Sequence, residues 1–393
     1  MYASHVITRL IIGGAQENTI STVLGLHQKK GVQVELISGP TDPSMPEGSL
    51  QSRVESIPGI FIEEPHLIRR PSLWHDWLAY RQLKRRFQST RPTLVHTHSG
   101  KAGIVGRLAA KAARIPLIIH SIHGPSFGNF QGTFSNCLFL GAERWAGKAT
   151  NHFVGVAEAM CQQYLDAGIG EPNQYSTIYS GFNLEPFLGA ETSSELRSKY
   201  GLKDNDFVVG KIARLFDLKG HDTLFDALPR IIEKIPQLKL LLIGGGPLRD
   251  VFEQRLCAMG RRDKVVFTGL VPPEEVPSLV GLVDVLVHLS LREGLPRALP
   301  QAMAAGKPVV AVSLDGAPEV CIPGKTGFLV NSGNVSELVD ALISLGEDAC
   351  LRKRLGVAGK KWVKQRYSVD TMVDATFALY QRLLASRGIP GRY

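Results

Sequence analysis

The residues suited to do chemistry gather where apolar runs end. Glu293 opens Glu293-Gly294-Leu295-Pro296 just after the run from Val285 to Leu289. Phosphate is favoured among the free N–H groups of a helix start, but a carboxylate there is out of place unless it meets hydroxyls. Glu293 accepting from sugar hydroxyls, beside a phosphate held by the helix start, is a nucleotide-sugar site in outline; a plain helix cap would use the same residue. Arg214 and Lys219 follow another apolar run, five residues apart across a loop, a spacing that can grip adjacent phosphates, although surface cations are usually just solvated. Gly244-Gly245-Gly246 frees backbone amides for an oxyanion, and Gly13-Gly14 lets the backbone approach a ligand closely. His123, before Gly124-Pro125, is suited to donate to a sugar hydroxyl or a phosphate oxygen. His96 and His98 point to one face of a strand, as two metal ligands would. No carboxylate or third histidine lies at ligand spacing near them, so hydrogen-bonded strand-end histidines are the plainer reading.

These residues need a scaffold, and the pattern supplies one. Asp284 to Leu289 read as a strand covered on both faces, as in a parallel sheet. Leu299, Ala302, Met303 and Gly306 recur at helical spacing, and Pro300 is tolerable only in a first turn, which starts the helix near Arg297. Lys307-Pro308 closes it and Val309 to Val312 form the next strand, a strand-helix-strand unit whose ligands belong beyond the carboxyl ends of the strands. Similar strands are expected at Val6 to Thr8, Val32 to Ser38, Thr93 to Thr97, Pro116 to Ile122, Phe207 to Ile212 and Leu238 to Ile243. Residues 41–52, with Pro43, Pro46 and Gly48, read as a loop, and residues 186–206 as the linker between domains. Trp74 to Arg91 reads as an amphipathic helix whose aromatics are core, with Lys84, Arg85, Arg86 and Arg91 on the far side; docking on a membrane surface is the alternative. Helical periodicity also runs from Trp362 to Ser386. Two familiar motifs are excluded. Asp204-Asn205-Asp206 precedes its strand, and Arg249 stands where a dinucleotide fingerprint needs its last glycine.

A chain of 393 residues with 44% hydrophobic and 21% charged residues suits two soluble α/β domains. The formal net charge of +9 favours an acidic partner, and the lack of a basic run interleaved with aromatics sets nucleic acid aside. Five scattered cysteines, with no Cys-x-x-Cys pair, read as buried thiols in a reducing cytoplasm. No stretch is apolar enough to span a bilayer, so a cytoplasmic protein, neither exported nor integral, is expected.

Glu293-Gly-Leu-Pro, the helix Ala-Met-Ala-Ala-Gly and Asp315-Gly-Ala-Pro-Glu319 together resemble the donor-site motif of family-four retaining glycosyltransferases of the GT-B fold. The motif's second glutamate is here Gln301. The resemblance implies two Rossmann-like domains facing across a cleft. Residues 1–190 would form the acceptor-side domain, 191–365 the nucleotide-sugar donor domain, and 366–393 a C-terminal helix crossing back to the first. It further implies metal-independent, retaining transfer of a sugar from a UDP- or GDP-linked donor to an acceptor hydroxyl in envelope polysaccharide, glycolipid or glycoconjugate synthesis, with no cofactor. Glu293, His123, Arg214 and Lys219 would carry the chemistry, and Gly13, Gly14, Gly244, Gly245, Gly294, Leu295 and Gln301 would hold the donor. Implied partners are the nucleotide sugar, a sugar or lipid-linked acceptor and an anionic membrane surface. A nucleotide-sugar epimerase or phosphorylase would share the fold, and a non-catalytic binder even the site.

Overall fold

The computed structural model describes residues 1–41, 49–98, 100–128 and 132–389; most of the loop expected at 41–52 lies outside them. The chain forms two compact units, Met1–Gly181 with Val369–Tyr393, and Phe182–Ser368. Residues 186–206 are not a linker but part of the second unit, where they contribute the short helices Glu185–Leu188 and Ser194–Lys199.

The first unit is built on seven strands: β1 (Tyr2–Ile7), β2 (Gln33–Ser38), β3 (Phe61–Glu63), β4 (Leu94–His98), β5 (Ile118–Ile122), β6 (His152–Gly155) and β7 (Tyr175–Thr177). They lie in the order β3-β2-β1-β4-β5-β6-β7, all pairs parallel. Successive strand residues face opposite sides. Ile7, Leu36, Leu94 and Ile119 therefore pack with Ile20, Val23, Val373 and Tyr380, while their neighbours Val6, Ile37, Val95 and Ile118 pack with Leu83, Phe87, Val105 and Ala109. With both faces covered, apolar residues stand at successive strand positions, as in Val6-Ile7, Leu36-Ile37, Leu94-Val95 and Ile118-Ile119.

The periodicity from Trp362 to Ser386 is divided between two helices, Ala349–Arg366 and Val369–Ala385, and only the second belongs to the first unit. The break falls at Tyr367, whose carbonyl accepts from the Phe182 N–H at 2.8 Å and whose hydroxyl donates to the Glu319 carbonyl at 2.7 Å. The final helix lies close on the helix Gly14–Lys30: a Cβ at Gly25 would run into Val373, and Asn18 donates to the Met372 sulfur at 3.1 Å.

The helix Leu73–Thr90 departs from the sequence reading in its aromatics. It buries Ala79, Leu83 and Phe87, but Trp74 and Trp77 are 65% and 44% exposed. At 100° per residue, Trp74 stands about 140° around the helix from Ala79, off the buried stripe. The two indoles stack at 5.4 Å, and the Arg81 guanidinium lies 4.6 Å from the Trp77 ring. Arg86 is not part of a free basic face either, since it pairs at 2.5 Å with the buried carboxylate of Glu35. A fully buried pair, Arg107 with Glu143 at 2.6 Å, sits under the loop after β5, where Ser126 donates to the same carboxylate at 3.0 Å.

The second unit holds β8 (Phe207–Ile212), β9 (Leu238–Ile243), β10 (Val265–Gly269), β11 (Val285–His288), β12 (Val309–Val312) and β13 (Gly327–Val330) in the order β10-β9-β8-β11-β12-β13. Val209, Leu240, Leu242, Val285 and Val287 pack on one face against Leu228, Ile231 and Leu342, and Val208, Leu241 and Ile243 on the other against Leu279 and Val283. Among the described residues no helix is long and apolar enough to cross a membrane.

Burial of histidine is concentrated in the first unit. It lowers the His5 ring to about 3 and His123 to about 4, and holds His96, His98 and His120 well below the usual value. The native state then binds fewer protons than the unfolded chain below the ordinary histidine pKa of about 6.5, so stability is present above that pH and lost as pH falls toward the folded values. The thermal midpoint should drop between about pH 6.5 and 5, above the carboxylate range. A midpoint flat across that interval contradicts neutral burial of these rings.

Candidate active site

In the second unit the strand order reverses between β8 and β11, and the loops after these neighbouring strands lie together. Leu218 and Gly220 both adopt left-handed backbone, with φ of 64° and 69°. A Cβ on Gly220 would meet the Leu289 carbonyl, so only glycine lets this turn close on the end of β11. The Leu291 N–H, donating to the Leu218 carbonyl at 2.8 Å, pins the two loops. Lys219, held between Leu218 and Gly220, extends Nζ to Glu293 Oε1 at 2.6 Å and to Ser290 Oγ at 3.3 Å.

The loop after β12 fixes Glu293 from the other side. Asp315, itself at φ 50°, accepts the Glu293 N–H at 2.8 Å, and the Gly316 N–H donates to the Gly294 carbonyl at 3.1 Å. Burial pushes the Glu293 carboxyl up, but the Lys219 ammonium, His288 and hydrogen bonds from Lys219 and Ser290 outweigh it and hold it below the usual range. Glu293 thus stays ionised, about 29% exposed, with its main chain clamped.

Beneath this pair lies Lys211, a residue to which the sequence reading gave no role. It sits in β8 at 2% exposure, and burial together with repulsion from Lys219 lowers it to about 7, against the pull of Glu293. His288 and His221 lie behind it; burial lowers them to about 4 and about 3, and His288 Nε2 and both ring nitrogens of His221 have no hydrogen-bond partner among the described residues. The signal was a lysine inside Val208-Val209-Gly210-Lys211-Ile212, a run otherwise free of charge.

The other expected residues fall at the same sheet edges. Arg214 is exposed just past β8, its guanidinium 5.0 Å from the Phe216 ring. Gly244, Gly245 and Gly246 follow β9 and are pressed against that loop: Gly245 accepts the Leu215 N–H at 2.9 Å, and a Cβ on Gly244 or Gly246 would strike the Ala213 or Leu215 carbonyl. Gly294 and buried Leu295 lead into the helix Ala298–Ala304, which carries Gln301 and has only 7 residues. So short a helix has a weak dipole.

In the first unit, Gly13 and Gly14 follow β1 and His123 follows β5, with His123 Nε2 at 3.1 Å from His98 Nδ1. Gly13 has extended backbone at φ 179°, which any residue adopts. The fold also overturns the expectation that His96 and His98 lack a third histidine. Parallel pairing sets His5 opposite His96, and ligand atoms of His5, His96 and His98 lie within 4.8 Å of one another.

Comparison with known proteins agrees with this architecture. Residues 12–186 match Glycosyltransferase Family 4 and residues 192–362 match Glycosyl transferases group 1. The chain is 28% identical over 301 residues to UDP-Gal:alpha-D-GlcNAc-diphosphoundecaprenol alpha-1,3-galactosyltransferase of Escherichia coli, covering 76% of this chain and 77% of that one. It is 34% identical over 188 residues to GDP-mannose-dependent alpha-(1-6)-phosphatidylinositol monomannoside mannosyltransferase of Mycolicibacterium smegmatis, covering 46% and 49% of the two chains. Anabaena Alr3699/HepE in complex with UDP shares the fold at TM-score 0.81 and 23% identity, over 97% of this chain and 100% of that one.

Replacing Lys211 tests the electrostatics of the site directly. The folded pKa lies below the unfolded one, so the cost of burying the charge is full below about pH 7 and is relieved as pH rises toward the ordinary lysine value. Lys211→Met should raise unfolding free energy by about 1–4 kcal/mol at pH 6, the range for replacing buried charges by apolar groups of similar volume, and by less at pH 9. Denaturant midpoints at the two pH values check it; destabilisation at both refutes the burial of a costly charge.

Proposed function

The chain belongs to the group 1 glycosyltransferases, and from that premise we propose that it moves a hexose from a UDP- or GDP-linked donor to an acceptor hydroxyl with retention and without a divalent metal. The observation that carries this reading is the Lys219–Glu293 pair at the β8–β11 reversal, a cation and an ionised carboxylate side by side where an open α/β sheet takes its ligand. Lys219, Arg214 and the Gly294 and Leu295 amides receive the diphosphate. Glu293 accepts from hydroxyls of the transferred sugar and Gln301 from the ribose; in the first unit, His123 is suited to contact a sugar hydroxyl.

In the reaction the bond from the anomeric carbon to the diphosphate oxygen breaks, and one to the acceptor oxygen forms on the same face. The acceptor's proton passes to the departing phosphate. Charge growing on that leaving group is what Lys219 and Arg214 offset, and such preorganised electrostatics is commonly the largest catalytic contribution. These side chains supply the charge that a metal supplies elsewhere. Asp206 of Asp204-Asn205-Asp206 is buried before β8, accepting the Lys203 N–H at 2.7 Å.

The printed names of the relatives, with diphosphoundecaprenol in one and phosphatidylinositol in the other, support a lipid-linked acceptor in envelope polysaccharide or glycolipid synthesis. Exposed Leu73, Trp74 and Trp77 on one helix, and Phe134, Leu138 and Trp145 on Thr133–Gly147, support docking on an anionic membrane.

Turnover should survive EDTA. In the same assay Lys219→Ala should weaken nucleoside diphosphate binding by about 1.5–3 kcal/mol, the range for hydrogen bonds to charged groups. Turnover abolished by EDTA and restored by magnesium or manganese contradicts the metal-free reading, and unchanged affinity removes Lys219 from the donor site. For the membrane, flotation with anionic vesicles should fall with rising salt and with Trp74→Ala, Trp77→Ala and Arg85→Glu combined. Arg86 is left intact because Glu35 depends on it. Binding indifferent to both changes refutes docking through this helix.

A further inference from the structure

One cation of the second unit has no part so far in receiving the donor. Lys211 stands in β8 opposite Leu242 of β9 and is 2% exposed. Among the described residues, the charged and titratable groups that face it lie at the same sheet edge: Lys219 of the loop after β8, His221 at the start of the helix His221–Lys234, His288 at the end of β11 and Glu293 of the loop that follows. None of them is its counter-ion. Glu293, the carboxylate of this group, is taken by Lys219 at 2.6 Å, and Lys211 forms no hydrogen bond or ion pair among the described residues. His288 Nε2 and both ring nitrogens of His221 are also buried without a partner.

A buried ammonium without a partner is costly, and such a group gives up its proton instead. Burial and repulsion from Lys219 lower Lys211 to about 7, so in the free protein it is mostly uncharged at pH 8. The histidines do not compete for a proton there, because burial lowers His288 to about 4 and His221 to about 3. A bound diphosphate reverses the balance at Lys211. It brings negative charge to the loop after β8 and draws the Lys219 ammonium, so Glu293 loses the cation it pairs with in the free protein. Both changes put uncompensated negative charge near Lys211, and opposite charge nearby favours the ammonium.

We propose that Lys211 is a further cation of the donor site, switched on by the donor itself: when the diphosphate engages Lys219, Lys211 Nζ takes one proton from solvent and replaces Lys219 as the positive charge that holds Glu293 ionised. No covalent bond forms or breaks; one proton moves from water or buffer to the amine. The inference rests on the reading that Lys219 receives the diphosphate. Lys211 acts through Glu293 and is a positioning residue, so donor affinity depends on pH through a side chain that need not touch the donor. Linkage fixes the sign. The complex binds one proton more than the free partners, so affinity is highest below about pH 7, where Lys211 already carries its proton, and falls as pH rises, on the order of tenfold per pH unit for one proton.

Calorimetric titration of the intact protein with UDP and with GDP, repeated at pH 8 in buffers of different ionisation enthalpy, counts the protons taken up on binding. The terminal phosphate of either ligand is already ionised at that pH, and cations around it keep it so. Uptake of about one proton is expected, with affinity about 5- to 10-fold weaker at pH 8.5 than at pH 7.5. In Lys211→Met, which keeps Lys219 and Arg214, both the uptake and the pH dependence should vanish. Binding without uptake overturns the proposal and leaves the donor reading intact, as does uptake that persists in Lys211→Met. NMR of the lysine ε-carbons gives the same answer without a substitution: one lysine should titrate near neutrality in the free protein and keep its charged position through pH 8.5 under saturating diphosphate. The lack of such a lysine in the free protein, or one whose titration the ligand leaves unmoved, overturns the proposal. Failure of both UDP and GDP to bind at millimolar concentration overturns the donor reading and the proposal with it.

Discussion

Each unit depends on one constraint, the reversal of winding in a parallel sheet. Crossovers between parallel strands are right-handed, so helices leaving two adjacent strands in opposite directions part the loops above them. The second unit reverses between β8 and β11 and the first between β1 and β4. At the first of these points Lys219 meets Glu293; at the other, His5 of β1 stands in register with His96 of β4. Neither pair is made by local sequence. Both are made by which strands become neighbours.

The charges at the second unit's edge show how far the site departs from what stability alone would choose. A lysine at 2% exposure beside another lysine is costly, and histidines with unpartnered ring nitrogens add to that cost. The surrounding apolar sheet, with β8 and β11 buried on both faces, holds them in place. An incoming diphosphate would supply the negative charge that this cluster lacks, so binding and local electrostatic relief are the same event. In the first unit the Arg107–Glu143 pair has its charge matched internally, and there it anchors the loop that follows His123.

Much of this was legible in the sequence because buried parallel strands leave apolar runs that end in functional loops. The strand before Glu293, the helix start at Arg297 and the strand from Val309 all follow from such runs, as does the α/β architecture. What could not be read depends on distance through the fold. His5 is 91 residues from His96, and only the order β1-β4 joins them. Asp315 was visible in its turn, but its bond to the Glu293 N–H needs the β11–β12 neighbourhood. Residue type alone places Trp74 and Trp77 in the core, whereas the buried stripe passes through Ala79, Leu83 and Phe87. Periodicity alone carried the last helix through Tyr367, where hydrogen bonds to Phe182 and Glu319 break it.

On the reading proposed above, the Lys219–Glu293 pair receives the nucleotide sugar. A crystal structure with a non-transferable 2-fluoro nucleotide sugar tests it most directly. The expected result is a diphosphate oxygen within hydrogen-bond distance of Lys219 Nζ and a sugar hydroxyl on a Glu293 carboxylate oxygen. A donor bound with its diphosphate away from the loop after β8, and Lys219 still paired to Glu293 at 2.6 Å, would contradict it.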